Sequence, residues 1–462
     1  MAIDHEIMNN PAAIEFESTS HIQGYTLVTF IAGVLFFSVS AAASLYHPVF
    51  FALFALPFLP FLLVSKRITL YIFILSFAYA APLFEYRGEL RFDDIIFAII
   101  AITWLMDKAL NPVKIDREKK ISGLLLIWLC INVLSIVLLL PRAGMAQLLR
   151  STYFFIKMTQ YISVYFIVTD LVRDETTRIN ALRLVWLSTV FICIYGLIEY
   201  FIIGETVVTS TLSPNHAHIG VYLLLNIFLF AGYIKYAGNP AEKLLVFCSL
   251  PFMVYILFLS TSRASIVALF FGIFVAIMFS RNRLLKIAAA AGIIAGLYMG
   301  MDFLTNLENY GLGYASFSST ERDISLLGRL FIWTGIFEYF RANPHMLIQG
   351  TGLGALGTFV FPYVPLMRIV SGAHNNFLHF LTETGIGGLL LFLSVMFVLL
   401  KRSLAKAREA FRKDRSLYYG YFCALSALLL TCLTQETFSV QPALYNFLGF
   451  FFMVTALVLV KT

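Results

Sequence analysis

A histidine stands where a catalytic base could act. His374 lies in segment 371–376, directly before an apolar run, and is therefore expected near the start of a helix. The dipole at a helix N-terminus disfavours the imidazolium, so a neutral His374 could accept a proton there. The alternative is structural: Asn375 would cap the helix, and His374 would be an ordinary surface histidine.

Arginines supply a second kind of chemistry. Arg263 lies between two apolar runs, and Arg322 and Arg329 are seven residues apart, which places them on one face of a helix. A guanidinium is a planar, permanently charged fork that suits phosphate and carboxylate oxygens. Charges at a membrane edge are usually functional, but Arg263 could also be a turn residue that reaches lipid headgroups.

Two further motifs could bind an anion or a metal. Gly350, Gly352 and Gly354 alternate along the chain, and such glycines can aim backbone N–H groups at an anion, although a simple loop is the commoner meaning. His216 and His218 are separated by one residue and could bind a metal. A turn with a helix cap is favoured for them, with a smaller chance of substrate contact.

Acidic residues beside apolar runs have simpler interpretations. Asp93 and Asp94 could mimic a metal site, but capping of a helix or pairing with Arg91 is favoured. His379 and Glu383 are four residues apart on one predicted helix and could pair with each other.

The elements that must position these residues are membrane helices. The chain has 462 residues, of which 60% are hydrophobic and only 13% are charged, against about 25% charged in soluble proteins. Apolar runs of about 17–25 residues recur, the length that crosses a bilayer. They predict an all-α integral membrane protein with about 12–14 transmembrane helices, at 26–46, 48–65, 68–86, 93–107, 121–140, 152–172, 181–203, 218–236, 244–261, 264–280, 284–301, 375–400, 417–437 and 442–460.

Charge sets the orientation. Most Lys and Arg residues fall in loops on the side of the N-terminus, so the positive-inside rule makes both termini cytoplasmic. The net charge of +7 is thereby explained by topology and does not indicate nucleic acid. The five cysteines lie within apolar runs, where they predict neither disulfides nor a metal site.

The chain divides into a cytoplasmic tail (1–25), transmembrane helices 1–11 (26–301), a large non-cytoplasmic loop (302–374) and C-terminal transmembrane helices (375–462). Within the loop, helical spacing predicts an amphipathic helix over Glu321–Arg341 that lies on the outer leaflet. An ordinary packed surface helix is the alternative. The predicted apolar stripe consists of Leu326, Leu330, Trp333, Ile336, Phe337 and Phe340.

The order of these motifs resembles a known family. Over about residues 210–400, the series is similar to the O-antigen ligase and polymerase superfamily: Ser-x-Ser-Arg ending at Arg263, Gly328-Arg329-x-x-x-Trp333, Asn343-Pro344 with the alternating glycines, Ala373-His374-Asn375-Asn376, and Glu383-x-Gly385-Ile386-x-Gly388. The N-terminal half resembles the family only in hydropathy and in the segment 91–94.

The resemblance implies a GT-C-like glycosyltransferase of the bacterial inner membrane whose large loop and active site are periplasmic. Such enzymes transfer glycan from undecaprenyl diphosphate to an acceptor sugar hydroxyl, with inversion and without a metal or other cofactor. By position, Arg263 and Arg329 would hold the diphosphate, and His374 would be the catalytic base. The candidate substrate contacts are Arg322, Asn375, Gly352, Gly354 and His218.

Three questions remain open at the level of sequence. The acceptor could be another lipid-linked chain, as for a polymerase, or lipid A core, as for a ligase; a polymerase is favoured. A transporter or flippase of lipid-linked glycan is the alternative from another class, although it predicts inverted repeats and mid-membrane charges that the sequence does not clearly show. A structural assembly subunit would leave the arginines and His374 unexplained.

Overall fold

The structure is a computed structural model that describes residues 66–78, 82–84, 90–110, 118–210, 216–279, 286, 326–364, 372–410, 412–440 and 447–460. Several predictions lie outside the described residues: the tail 1–25, the spans 26–46 and 48–65, nearly all of the span 284–301, and Arg322.

Helices dominate the described part of the chain. In order, the elements are α1 (Lys66–Ser76), β1 (Pro82–Phe84), β2 (Leu90–Arg91), α2 (Phe92–Leu110), α3 (Lys119–Leu139), α4 (Met145–Leu171), α5 (Glu175–Ile198, continued by a π-helical turn, Glu199–Ile203), α6 (His216–Tyr236), α7 (Pro240–Leu259), α8 (Arg263–Met278), α9 (Leu326–Ala342), α10 (Met346–Gln349), α11 (Leu356–Val360, followed by a 3₁₀ turn, Phe361–Tyr363), α12 (Asn376–Glu409), α13 (Arg412–Thr431) and α14 (Phe447–Leu459).

Five of these helices are long and apolar enough to cross a membrane: α3, α5 with its π-helical turn, α6, α7 and α12. The helices α8 and α14 are apolar but shorter. This confirms the prediction of an all-α membrane protein, apart from the small hairpin of β1 and β2.

The hairpin shows where one prediction is wrong. The span predicted over 68–86 ends as a helix at Ser76, and β1 pairs antiparallel with β2 instead. Pro82 has no N–H to continue a helix, and a short apolar run cannot be assigned to helix or strand from hydropathy alone.

Helix α6 lies at the centre of the bundle. Its apolar stretch is 83% buried, against 28% for α3 and α7, which therefore lie at the periphery. Gly232 of α6 and Gly420 of α13 let the two helices approach backbone to backbone, because a Cβ on either residue would overlap a main-chain carbonyl of the other helix. Small residues commonly permit such close packing of membrane helices.

Helix α12 is kinked at Gly385, whose φ of 68° and ψ of −171° interrupt the helical hydrogen bonds. Carbonyl groups of α12 that precede the kink accept hydrogen bonds from the segment just before α11. Thr351 N–H donates to Thr382 O at 2.7 Å, and Gly352 N–H donates to Glu383 O at 2.9 Å. Irregular backbone is tolerated in a membrane protein where other protein groups satisfy it. The kink therefore fixes the loop before α11 against α12.

Replacing Gly385 by alanine is expected to destabilise the protein by about 1–3 kcal/mol, because the positive φ strains any residue with a Cβ and that Cβ would meet the Ile348 carbonyl. Thermal unfolding in detergent measures this. Gly387→Ala is the matched control, since a Cβ there meets nothing within 4 Å. Equal melting temperatures for the two variants would contradict the assignment of strain to Gly385.

Helix α9 packs differently from the predicted stripe. Ile332, Ile336 and Phe340 are buried against α10, α11 and the segment before α12, where they form a small separate core. Leu330 and Phe337, predicted to share the stripe, are exposed. The alternative of an ordinary packed helix thus accounts for the buried face, and two apolar side chains remain on the opposite side.

Candidate active site around His374

His374 lies on a strained turn directly before α12. Its φ is +48°, a left-handed conformation that is uncommon for a residue with a Cβ, and such strain is often found at functional sites. Asn375 caps α12: its Oδ1 accepts hydrogen bonds from the N–H groups of Phe377 (2.9 Å) and Leu378 (3.1 Å). The capping role of Asn375 and a special position for His374 therefore coexist.

Helix α9 holds Arg329 beside this turn. Trp333 donates its indole N–H to Ala373 O at 2.9 Å, which fastens α9 to the residue before His374. Arg329 lies four residues before Trp333, on the same helix face, and its positive charge acts on His374. Two of the three principal predicted site residues thus lie together.

Glu436 is a site residue that the sequence analysis missed. Its Oε1 accepts the backbone N–H of His374 at 2.7 Å and lies 3.6 Å from His379 Nδ1, and its side chain is only 4% exposed. His379 also faces Glu383, with 3.3 Å between Nε2 and Oε2, as predicted from their spacing.

Glu436 was not identified because the predicted span 417–437 includes it. The C-terminal end of that predicted span is wrong. Helix α13 ends at Thr431, and residues 432–440 form a loop, here called the Glu436 loop. The available signal was a carboxylate within an apolar span, which is usually functional.

Burial sets the proton affinity of His374. It lowers the pKa of His374 below its usual value; Glu436 raises this pKa in part, while Arg329 and His379 lower it. The dipole of the following helix is predicted from the sequence to lower this pKa as well. Burial also acts to raise the pKa of Glu436, but His379 and His374 outweigh it and hold this pKa at about 2. His374 thus tends to be neutral and Glu436 is ionised.

Arg263 is connected to the same loop. It is the first residue of α8 and is exposed, and the preceding Ser262 accepts a hydrogen bond from Gln435 Nε2 at 3.2 Å. Gln435 adjoins Glu436 in the Glu436 loop. Thr261, two residues before Arg263, has a positive φ of 53°. The loop therefore bridges the turns that carry Arg263 and His374.

The start of α6 lies at this end of the bundle as well. The charges of Glu436 and Arg91 both act on His218. Gly220 lies so close to Ser262 that a Cβ on Gly220 would overlap the Ser262 side chain.

No group of three or more His, Cys, Asp or Glu residues suited to a metal occurs in the part of the chain that the structure describes.

Arg91 belongs to a buried ionic cluster. Its N–H donates to Asp94 Oδ2 (3.0 Å), its Nη2 donates to Tyr161 Oη (2.7 Å), and its Nε lies 3.2 Å from Asp93 Oδ1. Lys157 Nζ lies 2.5 Å from Asp94 Oδ1. The favoured interpretation of Asp93 and Asp94, capping and pairing with Arg91, agrees with this geometry. The same cluster gives the buried Lys157 a counter-ion.

The alternating glycines have packing roles in the structure. Gly352 donates its N–H to α12, and its Cα side faces Leu139 at the end of α3. Gly354 faces the Phe154 ring, and its carbonyl accepts from Gln147 Nε2 at 3.1 Å. Contact of these two glycines with a substrate stays a prediction.

Part of the chain matches a known protein family. Residues 248–393 match the family model described as O-Antigen ligase. The matched segment contains Arg263, Arg329 and His374 but ends before Glu436. Among curated proteins, none matches the chain. The family match, which begins within α7 and ends within α12, confirms that this chain resembles the O-antigen ligase and polymerase superfamily.

Proposed function

We propose that the protein is a GT-C-like inverting glycosyltransferase of the bacterial inner membrane that moves glycan from undecaprenyl diphosphate to an acceptor sugar hydroxyl at the periplasmic face. One observation carries the proposal: a half-buried His374 with a lowered pKa lies beside Arg329, within the segment that matches O-antigen ligase. Large loop 302–374 is periplasmic in this proposal, and both termini are cytoplasmic.

The proposed reaction needs a base and a cationic site. His374 takes the proton from the acceptor hydroxyl, whose oxygen attacks the anomeric carbon. The bond from that carbon to the phosphate oxygen breaks, and attack opposite the leaving group inverts the centre. Arg329 and Arg263 stabilise the negative charge that develops on the diphosphate, so the proposed mechanism requires no metal.

The surroundings suit a lipid-linked donor. Leu330 and Phe337 are exposed on α9, the helix that also carries Arg329. Apolar side chains on the same helix as a cation favour a position at the membrane interface, where a guanidinium meets lipid phosphates. The remaining candidate contacts, Asn375 and His218, lie at the same end of the bundle.

The acceptor distinguishes two forms of the proposal. We favour a polymerase of O-antigen or exopolysaccharide, which extends a lipid-linked chain, over a ligase that transfers the polymer to lipid A core. Transport of lipid-linked glycan is the competing function, and buried charged residues such as Arg91 and Lys157 would suit it.

The glycan made by cells that lack the gene separates these functions. Complementation by the wild-type chain is expected to restore long polysaccharide. In cells without the protein, accumulation of single lipid-linked repeat units at the periplasmic face indicates a polymerase. Accumulation of lipid-linked polymer indicates a ligase. Accumulation of lipid-linked units on the cytoplasmic face would instead support a transporter and contradict a transferase.

A further inference from the structure

We propose that Glu436 is the positioning residue of His374: its carboxylate fixes the strained turn and supplies the negative charge that stabilises the protonated imidazole during transfer. The role in transfer rests on the proposed function, whereas the effect on His374 itself does not.

Glu436 contacts the strained turn directly. The backbone N–H of His374 donates a hydrogen bond to Glu436 Oε1 at 2.7 Å. Gly372 lies so close to this carboxylate that a Cβ would overlap both of its oxygens. A bond to a charged acceptor is worth about 1.5–3 kcal/mol, enough to offset the strain of a positive φ at a non-glycine residue.

Hydrogen bonds join the Glu436 loop to the start of α12. Asn376 N–H donates to Cys432 O at 2.8 Å, and Phe438 N–H donates to Asn376 Oδ1 at 3.1 Å. Asn375 Nδ2 donates to Leu433 O at 3.0 Å. These hydrogen bonds join the loop to the start of α12 and place Glu436 next to His374.

Glu436 also carries the negative charge that acts on His374. The charged and titratable groups that act on His374 are Glu436 from the loop, Arg329 from α9 and His379 from α12. Among these, only Glu436 is an anion. When His374 accepts a proton next to Arg329, Glu436 is the group that can compensate the new positive charge.

Glu436 is held ready for this role. Glu436 acts electrostatically on His379 and on His218 from α6. The other side of the His379 ring faces Glu383. The carboxylate thus accepts the His374 N–H, faces His379, and acts on His218 through its charge. A preorganised charge of this kind requires no rearrangement at the moment of reaction.

The substitution Glu436→Gln tests the charge separately from the hydrogen bond, because a glutamine Oε1 can still accept the His374 N–H. Its effect is measured first without any substrate. Diethyl pyrocarbonate modifies neutral imidazole, and mass spectrometry follows modification of His374 against pH. We expect the Glu436→Gln curve to move to lower pH than the wild-type curve, because removing the anion disfavours the imidazolium.

The matched control is Glu199→Gln. Glu199 is likewise a buried carboxylate that accepts backbone N–H groups, from Thr209 (2.8 Å) and Ser210 (2.7 Å), but it is not among the groups that act on His374. Its substitution should leave the His374 curve in place. A Glu436→Gln curve that coincides with the wild-type curve would overturn the proposal.

A second readout is catalytic. Glu436→Gln is expected to lower kcat about tenfold with little change in KM, since the charge acts on the transition state. If Glu436→Gln does not fold, Gly372→Ala displaces the carboxylate while keeping it in the chain, and should also move the His374 curve. If the wild-type protein is inactive but the Glu436→Gln curve is shifted, the transferase and the role of Glu436 in transfer are refuted, and the effect of Glu436 on His374 stands.

Discussion

Replacing His374 by alanine is expected to lower kcat by about 10²–10⁴-fold, the usual contribution of a positioned general base. Donor binding should change little, because the arginines and not His374 would hold the diphosphate. The initial rate of undecaprenyl diphosphate release by purified protein, as a function of donor concentration, measures both quantities. A wild-type kcat in this variant would show that another group takes the proton.

His345→Ala is the control for this variant. His345 is an exposed histidine between α9 and α10, and the structure shows no part for it in the site.

The wild-type enzyme should also remain active below pH 6.5, the ordinary pKa of histidine. An imidazole is neutral above its pKa and can then accept a proton, and burial lowers the pKa of His374.

Replacing Arg329 or Arg263 by alanine is expected to lower kcat/KM for the donor by about 10²–10³-fold, the usual effect of losing one group that stabilises developing charge. Lysine should restore only part of the activity at either position, because a single ammonium cannot reproduce a bidentate contact. Donor kinetics with the purified variants measure these effects.

Arg341→Ala is the matched control, since Arg341 is an exposed arginine in the last turn of α9, the same helix as Arg329. A loss at Arg341 equal to that at Arg329 would show that positive charge in this loop acts only generally, by attracting an anionic lipid. Arg329→Ala should in addition move the His374 modification curve to higher pH, because the charge of Arg329 disfavours the imidazolium.

Local features of the site were predictable from sequence because they depend on neighbours in the chain. Asn375 caps the helix that follows it, and His379 faces Glu383 one turn later. Asp93 and Asp94 pair with the adjacent Arg91. Each of these contacts spans four residues or fewer, so residue type and helical spacing are sufficient.

Long-range features were not predictable in this way. Glu436 meets His374 across 62 residues, and nothing in the spacing of either segment points to the other. The packing of Gly352 depends on a kink in α12 that only the three-dimensional structure reveals. The exposed Leu330 shows the same limit, because helical periodicity identifies an apolar stripe but not which part of it a neighbouring segment covers.

The most direct test of the account is a single-turnover reaction of the purified protein with undecaprenyl-diphosphate-linked glycan and a defined acceptor glycan, with no other enzyme present. The account predicts that the wild-type protein moves the glycan to the acceptor with inversion at the anomeric carbon, and that His374→Ala does not. Equal transfer by the two proteins, or a folded wild-type protein that transfers to neither a lipid-linked chain nor lipid A core, would contradict it.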